Sequence, residues 1–165
     1  LERAATIKGM AFDKTGTLTL GQPRVVSILP AEGVAESDLL RTAAALERHS
    51  EHPLAKAIVA EARERGLVVD AATDVRAIAG AGVVGTVGGR THRVGKLTWF
   101  VEQGVDHALM DRPEIHAAMA RGESVVGVMT DAGWLGGLTI ADTLRPTTEA
   151  CLRELRAIGV EHLLM

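Results

Sequence analysis

Apolar and polar positions change period often along this chain, and the changes outline a series of short elements. Ile7–Phe12 is a short, mostly apolar run ended by a turn, the pattern of a buried strand. Val25–Leu29 also reads as a strand. From Ser37, a hydroxyl residue suited to an N-cap, Leu39, Leu40, Ala43 and Leu46 recur at helical spacing, which predicts a helix to about Arg48. Pro53 suits the first turn of a second helix, which Gly66 ends near Arg65. Val83–Val94 alternates as strands do, with Gly88-Gly89 as a hairpin turn. Lys96–Gln103 is a short helix that sends Trp99 and Phe100 into a core, and Pro113–Arg121 is another, stopped by Gly122. Ser124–Thr130 and Trp134–Ile140 form a hairpin around Asp131-Ala132-Gly133. Pro146–Ile158 is amphipathic, with Cys151, Leu152, Leu155 and Ile158 on one face and Gly159 as its stop. Val160–Met165 opens a further strand.

Composition narrows the classes. A hydrophobic fraction of 47% over 165 residues can fill one core or two small ones. Aromatics make up only 2%, with no Tyr, so stacking platforms for bases are not expected. The net charge of −3 argues against binding a phosphate backbone, and nucleic acid is set aside as a partner. The single cysteine, Cys151, excludes an intramolecular disulfide and reads as a small core residue. No apolar run approaches the ~20 residues of a membrane span, and no signal peptide is recognisable. The chain is expected to be soluble, monomeric and from a reducing compartment.

The chemistry centres on Asp13-Lys14-Thr15-Gly16-Thr17-Leu18-Thr19. An acid at the carboxyl end of a strand sits where open α/β sheets bind ligands. A carboxylate there can attack phosphorus and become an aspartyl-phosphate. Lys14 brings positive charge, while the Thr15 and Thr17 hydroxyls and loop N–H groups can hold phosphate oxygens. A plain surface turn would explain a looser Asp-x-Thr-Gly pattern. The full string resembles the phosphorylation motif of the P-type ATPases, which implies that Asp13 accepts phosphate from ATP, with Mg²⁺ held at Asp13 and Thr15.

Ser50-Glu51-His52-Pro53-Leu54-Ala55 places a histidine at a helix start, where it could cap the helix or face a cleft. The string resembles a signature of the heavy-metal-transporting branch of that family, in its copper-exporter form. The resemblance implies that His52 recognises the adenine end of ATP and that Glu47 assists. Ala79–Gly89 contains a literal Gly-x-Gly-x-x-Gly, but a dinucleotide fingerprint must open a helix and this one continues into strands. Gly95-Lys96-Leu97 misses a phosphate-binding P-loop, with Leu where Ser or Thr must stand. The branch carries a Gly-x-Gly and a later Gly-Asn near the nucleotide. Gly80, Gly82 and Gly95 match it, and Lys96 stands in place of the Asn. Backbone without side chains at Gly80 and Gly82 is expected to let a flat nucleotide approach. His107 and His116 are surface residues with no metal-binding spacing.

Ala141-Asp142-Thr143-Leu144-Arg145-Pro146 reads as a strand end, with Asp142 or Thr143 near a helix N-cap. It also resembles the family's Asp-x-x-Arg-Pro, which puts Asp142 and Arg145 on the hinge and phosphate side. The fold class expected is α/β. An α+β nucleotide-binding domain (residues 23–136), an antiparallel sheet with flanking helices, is inserted into a haloacid-dehalogenase-like Rossmannoid phosphorylation domain (1–22 and 137–165). Gly21-Gln22-Pro23 is the first candidate hinge. The resemblance implies further acidic loops beyond residue 165 that complete the Mg²⁺ site. It also implies actuator and membrane domains in a parent transporter of the cell membrane, this portion being cytoplasmic. Copper(I) is the favoured cargo, with zinc, cadmium or cobalt open. The rivals are a haloacid-dehalogenase-class phosphatase, which usually carries a second Asp where Thr15 stands, and a nucleotide-binding module in which Asp13 is idle.

Overall fold

The computed structural model describes residues 7–109 and 111–165; the side chains of Lys14, Thr15 and Leu109 lie outside the description. The chain divides into two compact units, Pro23–Ala141 and the pair of segments Leu1–Gln22 and Asp142–Met165.

The larger unit is built on a sheet of order β2-β7-β6-β5-β4-β3. The strands are β2 (Thr19–Pro30), β3 (Thr73–Ile78), β4 (Gly82–Val87), β5 (Arg90–Lys96), β6 (Ser124–Thr130) and β7 (Gly133–Leu144). From β7 to β3 every pairing is antiparallel. Gly88 and Gly89 both take positive φ (57° and 76°), the backbone of a two-residue turn whose twist matches its strands.

Helix α1 (Glu36–Glu47) and helix α2 (Pro53–Glu64) bury Leu39, Leu40, Ala43, Leu46, Ala57 and Ile58 against Val83, Val94, Val128, Leu138 and Ile140. Burying such side chains stabilises by about 1.5–3 kcal/mol each, so this interface is the main core. Ala35, not Ser37, is the N-cap of α1, and no side chain caps it. Ser37 falls inside the first turn, where Glu36 and Asp38 supply negative charge instead.

Helix α3 (Leu97–Glu102) covers the opposite face with Trp99 and Phe100, which take the core positions expected of them. What lets it sit there is a row of glycines. Gly82, Gly95, Gly127 and Gly137 are register partners across four adjacent strands. A Cβ on Gly127 would stand 2.5 Å from Phe100 Cε2 and 2.8 Å from Trp134, and one on Gly95 2.9 Å from Trp99. The aromatic rings fill the trough, with Phe100 edge-on to Trp134 at 5.8 Å. Helix α4 (Pro113–Ala120) buries Ile115 and Ala118.

β3 escapes sequence pattern altogether, because all six of its residues are exposed and no face alternates. Its pairing to β4 is interrupted by a bulge between Thr73 and Arg76, where Asp74 has a positive φ of 53°.

The smaller unit holds β1 (Gly9–Ala11) parallel to β8 (His162–Leu164) and helix α5 (Thr148–Ala157). The expected apolar face of α5 is only partly covered among the described residues, with Leu152 and Leu155 half-buried. Cys151 is exposed, Ile158 is 76% exposed, and Thr148 is the helix's buried residue. A two-stranded sheet of three residues each offers α5 too little apolar surface to cover that face.

Gly21-Gln22-Pro23 lies within β2, with Gly21 at φ 70°, and the first division between the units falls inside it at 22/23. The second expected boundary, 136/137, falls inside the continuous strand β7, where the units divide at 141/142. Among the described residues, no helix is long and apolar enough to cross a membrane.

The glycine row makes a direct prediction. Gly127→Ala pushes a methyl into Phe100 and Trp134, and overpacking of this kind costs about 1–3 kcal/mol. Thermal unfolding of the 165-residue chain should show a clear loss of stability; an unchanged melting temperature would mean the trough is loosely filled.

Candidate functional site

In the smaller unit, β1 leads directly to Asp13, whose side chain is exposed. Lys14–Leu18 then coils into a single wide π-type turn. A turn of this kind leaves carbonyls without partners at its far end. Here they are met by a second segment more than a hundred residues later. The Arg145 guanidinium donates from Nη2 to the Gly16 carbonyl at 2.7 Å. The Leu18 carbonyl accepts twice, from Arg145 N at 3.0 Å and from the Thr148 hydroxyl at 2.6 Å.

Asp142 secures the next stretch. Its carboxylate accepts from the hydroxyl of fully buried Thr19 and from Gln22 N at 2.8 Å. Thr19 in turn accepts from Gly16 N at 3.1 Å. Thr143 donates to the Gln22 carbonyl at 3.1 Å. The pattern Asp13…Thr19 and the pattern Asp142…Arg145 are therefore one hydrogen-bonded assembly.

Asp142 and Thr143 belong to β7, however, and do not cap α5. Its N-cap is Thr147, whose side chain makes no capping bond. The contribution of Thr148 was not foreseen; two hydroxyl residues after Pro146 were the available signal.

Thr17 is exposed, as Asp13 is, while the expected roles of the Lys14 and Thr15 side chains lie outside the described residues. Asp13 supplies one exposed, hard carboxylate. Such a donor suits Mg²⁺, which keeps several waters and is held by one or two carboxylates together with substrate phosphates. Among the described residues, no group of three or more His, Cys, Asp or Glu is placed to hold a metal alone.

In the larger unit, the connection from α1 to α2 gathers Glu47, Ser50 and His52. His52 is the N-cap of α2 and accepts from Leu54 N through Nδ1 at 3.2 Å. In the neutral ring this leaves the proton on Nε2, on an exposed side chain able to donate to a ligand. Glu47 is half-buried. Burial pushes its carboxyl above the usual carboxylate range, against the smaller opposing pulls of the Ser50 hydroxyl and the charge of His52.

The glycines form a second group. Gly82 pairs with Gly95, and Lys96 N donates to the Ala81 carbonyl at 3.0 Å. Gly80 has a positive φ of 73° and open space where a Cβ would lie. Gly82 differs: its Cβ would stand 2.1 Å from the Val94 carbonyl oxygen. Its bareness is required by the neighbouring strand, so clearance for a nucleotide is not what demands glycine there. Lys96 is exposed at the end of β5, where α3 begins.

Comparison with known proteins adds a family. A family model described as a haloacid dehalogenase-like hydrolase matches residues 7–165. Over its full length the chain is 39% identical to the probable copper-transporting ATPase PacS of Synechococcus elongatus and 38% identical to the zinc/cadmium/lead-transporting P-type ATPase of Escherichia coli. It spans 22% of the length of each. The crystal structure of a zinc-transporting PIB-type ATPase in its E2.Pi state superimposes on 99% of the chain with a TM-score of 0.82 at 36% identity, the match taking up 26% of that chain.

The displaced proton equilibrium of Glu47 carries a stability prediction. A carboxyl whose folded pKa is raised contributes stability fully below the unfolded value, near 4.3, and that contribution is lost as pH rises through the folded value. Glu47→Gln should therefore raise the melting temperature at pH 7, with the gain shrinking towards pH 4. Melting curves across that range check it, and a gain that grows on acidification would contradict the burial argument.

Proposed function

The chain belongs to the haloacid dehalogenase-like hydrolase family, and we propose that it is the ATP-binding and phospho-acceptor portion of a heavy-metal-transporting P-type ATPase. One observation carries the reading: the turn that follows Asp13 is tied at Gly16, Leu18 and Thr19 to Asp142, Arg145 and Thr148. A surface turn has no need of such anchoring, whereas a nucleophile that must meet a phosphoryl group in line does.

The nucleotide occupies the larger unit, residues 23–136 in the sequence reading. The His52 Nε2–H and the Glu47 carboxyl read the adenine end, and the Gly80–Gly82 strand entry with Gly95 and Lys96 flanks the remainder. An Asp13 carboxylate oxygen attacks the γ-phosphorus, the bond to the β,γ-bridging oxygen breaks, and ADP leaves with the electron pair. Asp13 is then an acyl-phosphate, which water later hydrolyses. Lys14 offsets developing charge, and the Thr17 hydroxyl with the turn's N–H groups holds phosphoryl oxygens. Mg²⁺, held by Asp13 and Thr15 when bound, screens the phosphate charge. Arg145 and Asp142 act by holding the turn.

The remaining phosphorylation, actuator and membrane domains of the parent, in the cell membrane, complete the machine, with this portion on the cytoplasmic side. Copper(I) is the cargo that Ser-Glu-His-Pro favours. Relatives named for copper and for zinc, cadmium and lead match almost equally well, so the ion is a question for transport assays. The idle-nucleophile reading is tested by the same experiment as the proposal. The full-length transporter, given γ-labelled ATP and Mg²⁺ and quenched in acid, should take up label that Asp13→Asn abolishes. Label that survives Asp13→Asn would move the nucleophile elsewhere.

For the nucleotide, removing the His52 imidazole takes away a hydrogen bond and ring contact worth roughly 1–2 kcal/mol, about tenfold in affinity. Calorimetric titration of the 165-residue chain should show ATP binding weakened to that extent in His52→Ala and GTP binding little changed. Equal ATP affinity in the two proteins would sink the adenine assignment.

A further inference from the structure

The Leu18 carbonyl is the last of the turn, and two donors converge on it: Arg145 N at 3.0 Å and Thr148 Oγ at 2.6 Å. The backbone bond depends only on the chain's path. The hydroxyl bond depends on what residue 148 is. Thr148 is the first residue of α5, one past the N-cap Thr147. Its hydroxyl points back to the turn after Asp13. It is 7% exposed and held in place by its own N–H, which donates to the Arg145 carbonyl at 3.0 Å.

Together, Arg145 and Thr148 take two carbonyls of the turn, those of Gly16 and Leu18. We infer that Thr148 is a positioning residue for phosphoryl transfer to Asp13, acting through the Leu18 carbonyl. Thr148 touches neither phosphate nor nucleotide. It fixes the orientation of the peptide units between Asp13 and Thr19, and hence where the loop's donors stand relative to the attacking carboxylate. Small misplacements at a reacting centre are costly in rate while leaving remote binding intact. The inference rests on the phospho-acceptor reading of Asp13 above.

Two substitutions separate the hydroxyl from the methyl. Thr148→Val keeps the branched shape and removes the O–H. Thr148→Ser keeps the O–H and removes the methyl. In the full-length transporter, rapid quenching with γ-labelled ATP measures the rate at which acid-stable label appears, and its ATP dependence measures apparent affinity. Thr148→Val should slow labelling about tenfold with apparent ATP affinity unchanged. Thr148→Ser should label at close to the wild-type rate, as should Thr147→Val, whose exposed neighbour hydroxyl makes no capping bond. Wild-type rates in Thr148→Val would overturn the inference. So would a loss in Thr148→Ser with Thr148→Val spared, which assigns the role to methyl packing. A rate loss that tracks a fall in melting temperature in both variants would make the residue structural. If the wild-type transporter takes no label, the phospho-acceptor reading fails first and the positioning role falls with it.

Discussion

Side-chain clearance governs the larger unit. Strands β4, β5, β6 and β7 align Gly82, Gly95, Gly127 and Gly137, and at three of the four a single added carbon would meet another atom within 3 Å. Protein interiors are close-packed and yield little to such intrusions. The trough admits Trp99, Phe100 and Trp134, which are three of the four aromatics this chain has. Their seating fixes α3 and, through it, the end of β5 where Lys96 stands beside Ala81. On the other face Gly85 plays the same part for α1, since a Cβ there would lie 2.6 Å from Leu46. The residue after Leu46 is Glu47. Glu47 and Lys96 are thus both carried by elements that glycines allow to come close.

The smaller unit solves a different problem with polar means. Asp13 is exposed, so the strand that presents it is not held by burial at its end. Hydrogen bonds to the turn's outward carbonyls replace that packing, and they come from a segment distant in sequence. Charge assistance makes the Arg145 bond and both Asp142 bonds stronger than ordinary neutral ones.

Much of this was legible in the residues. Helical spacing located α1, and the Pro53/Gly66 and Pro113/Gly122 signals located α2 and α4, each to within a residue or two. Gly88-Gly89 marked its turn because only positive φ at both positions fits it. The motifs around Asp13, His52 and Asp142 named the residues to watch. Sequence failed where the deciding neighbour is remote. β3 has no buried face to impose a period, and the stripe on α5 announced a core that two short strands do not supply. Gly82 looked like clearance for a ligand, but the neighbouring strand claims that space. For Thr148 the two hydroxyl residues after Pro146 were the only hint, because the partner of its hydroxyl is fixed only once the chain has folded.

The irregularity of β3 bears on how the larger unit behaves in a crowded solution. A sheet that stops at an open strand offers its unused N–H and C=O groups to any extended polypeptide, the starting point of fibrous assembly. β3 is such an outer strand and carries exposed Val75 and Ile78. The bulge between Thr73 and Arg76 and the left-handed backbone at Asp74 break the flat run, so the uninterrupted ladder to β4 is only Arg76–Ile78. A stretch that short cannot template a foreign strand stably, and Asp74 and Arg76 add charges that a stacking neighbour would have to bury. A defect in the ladder thereby guards the molecule against polymerising with its own copies.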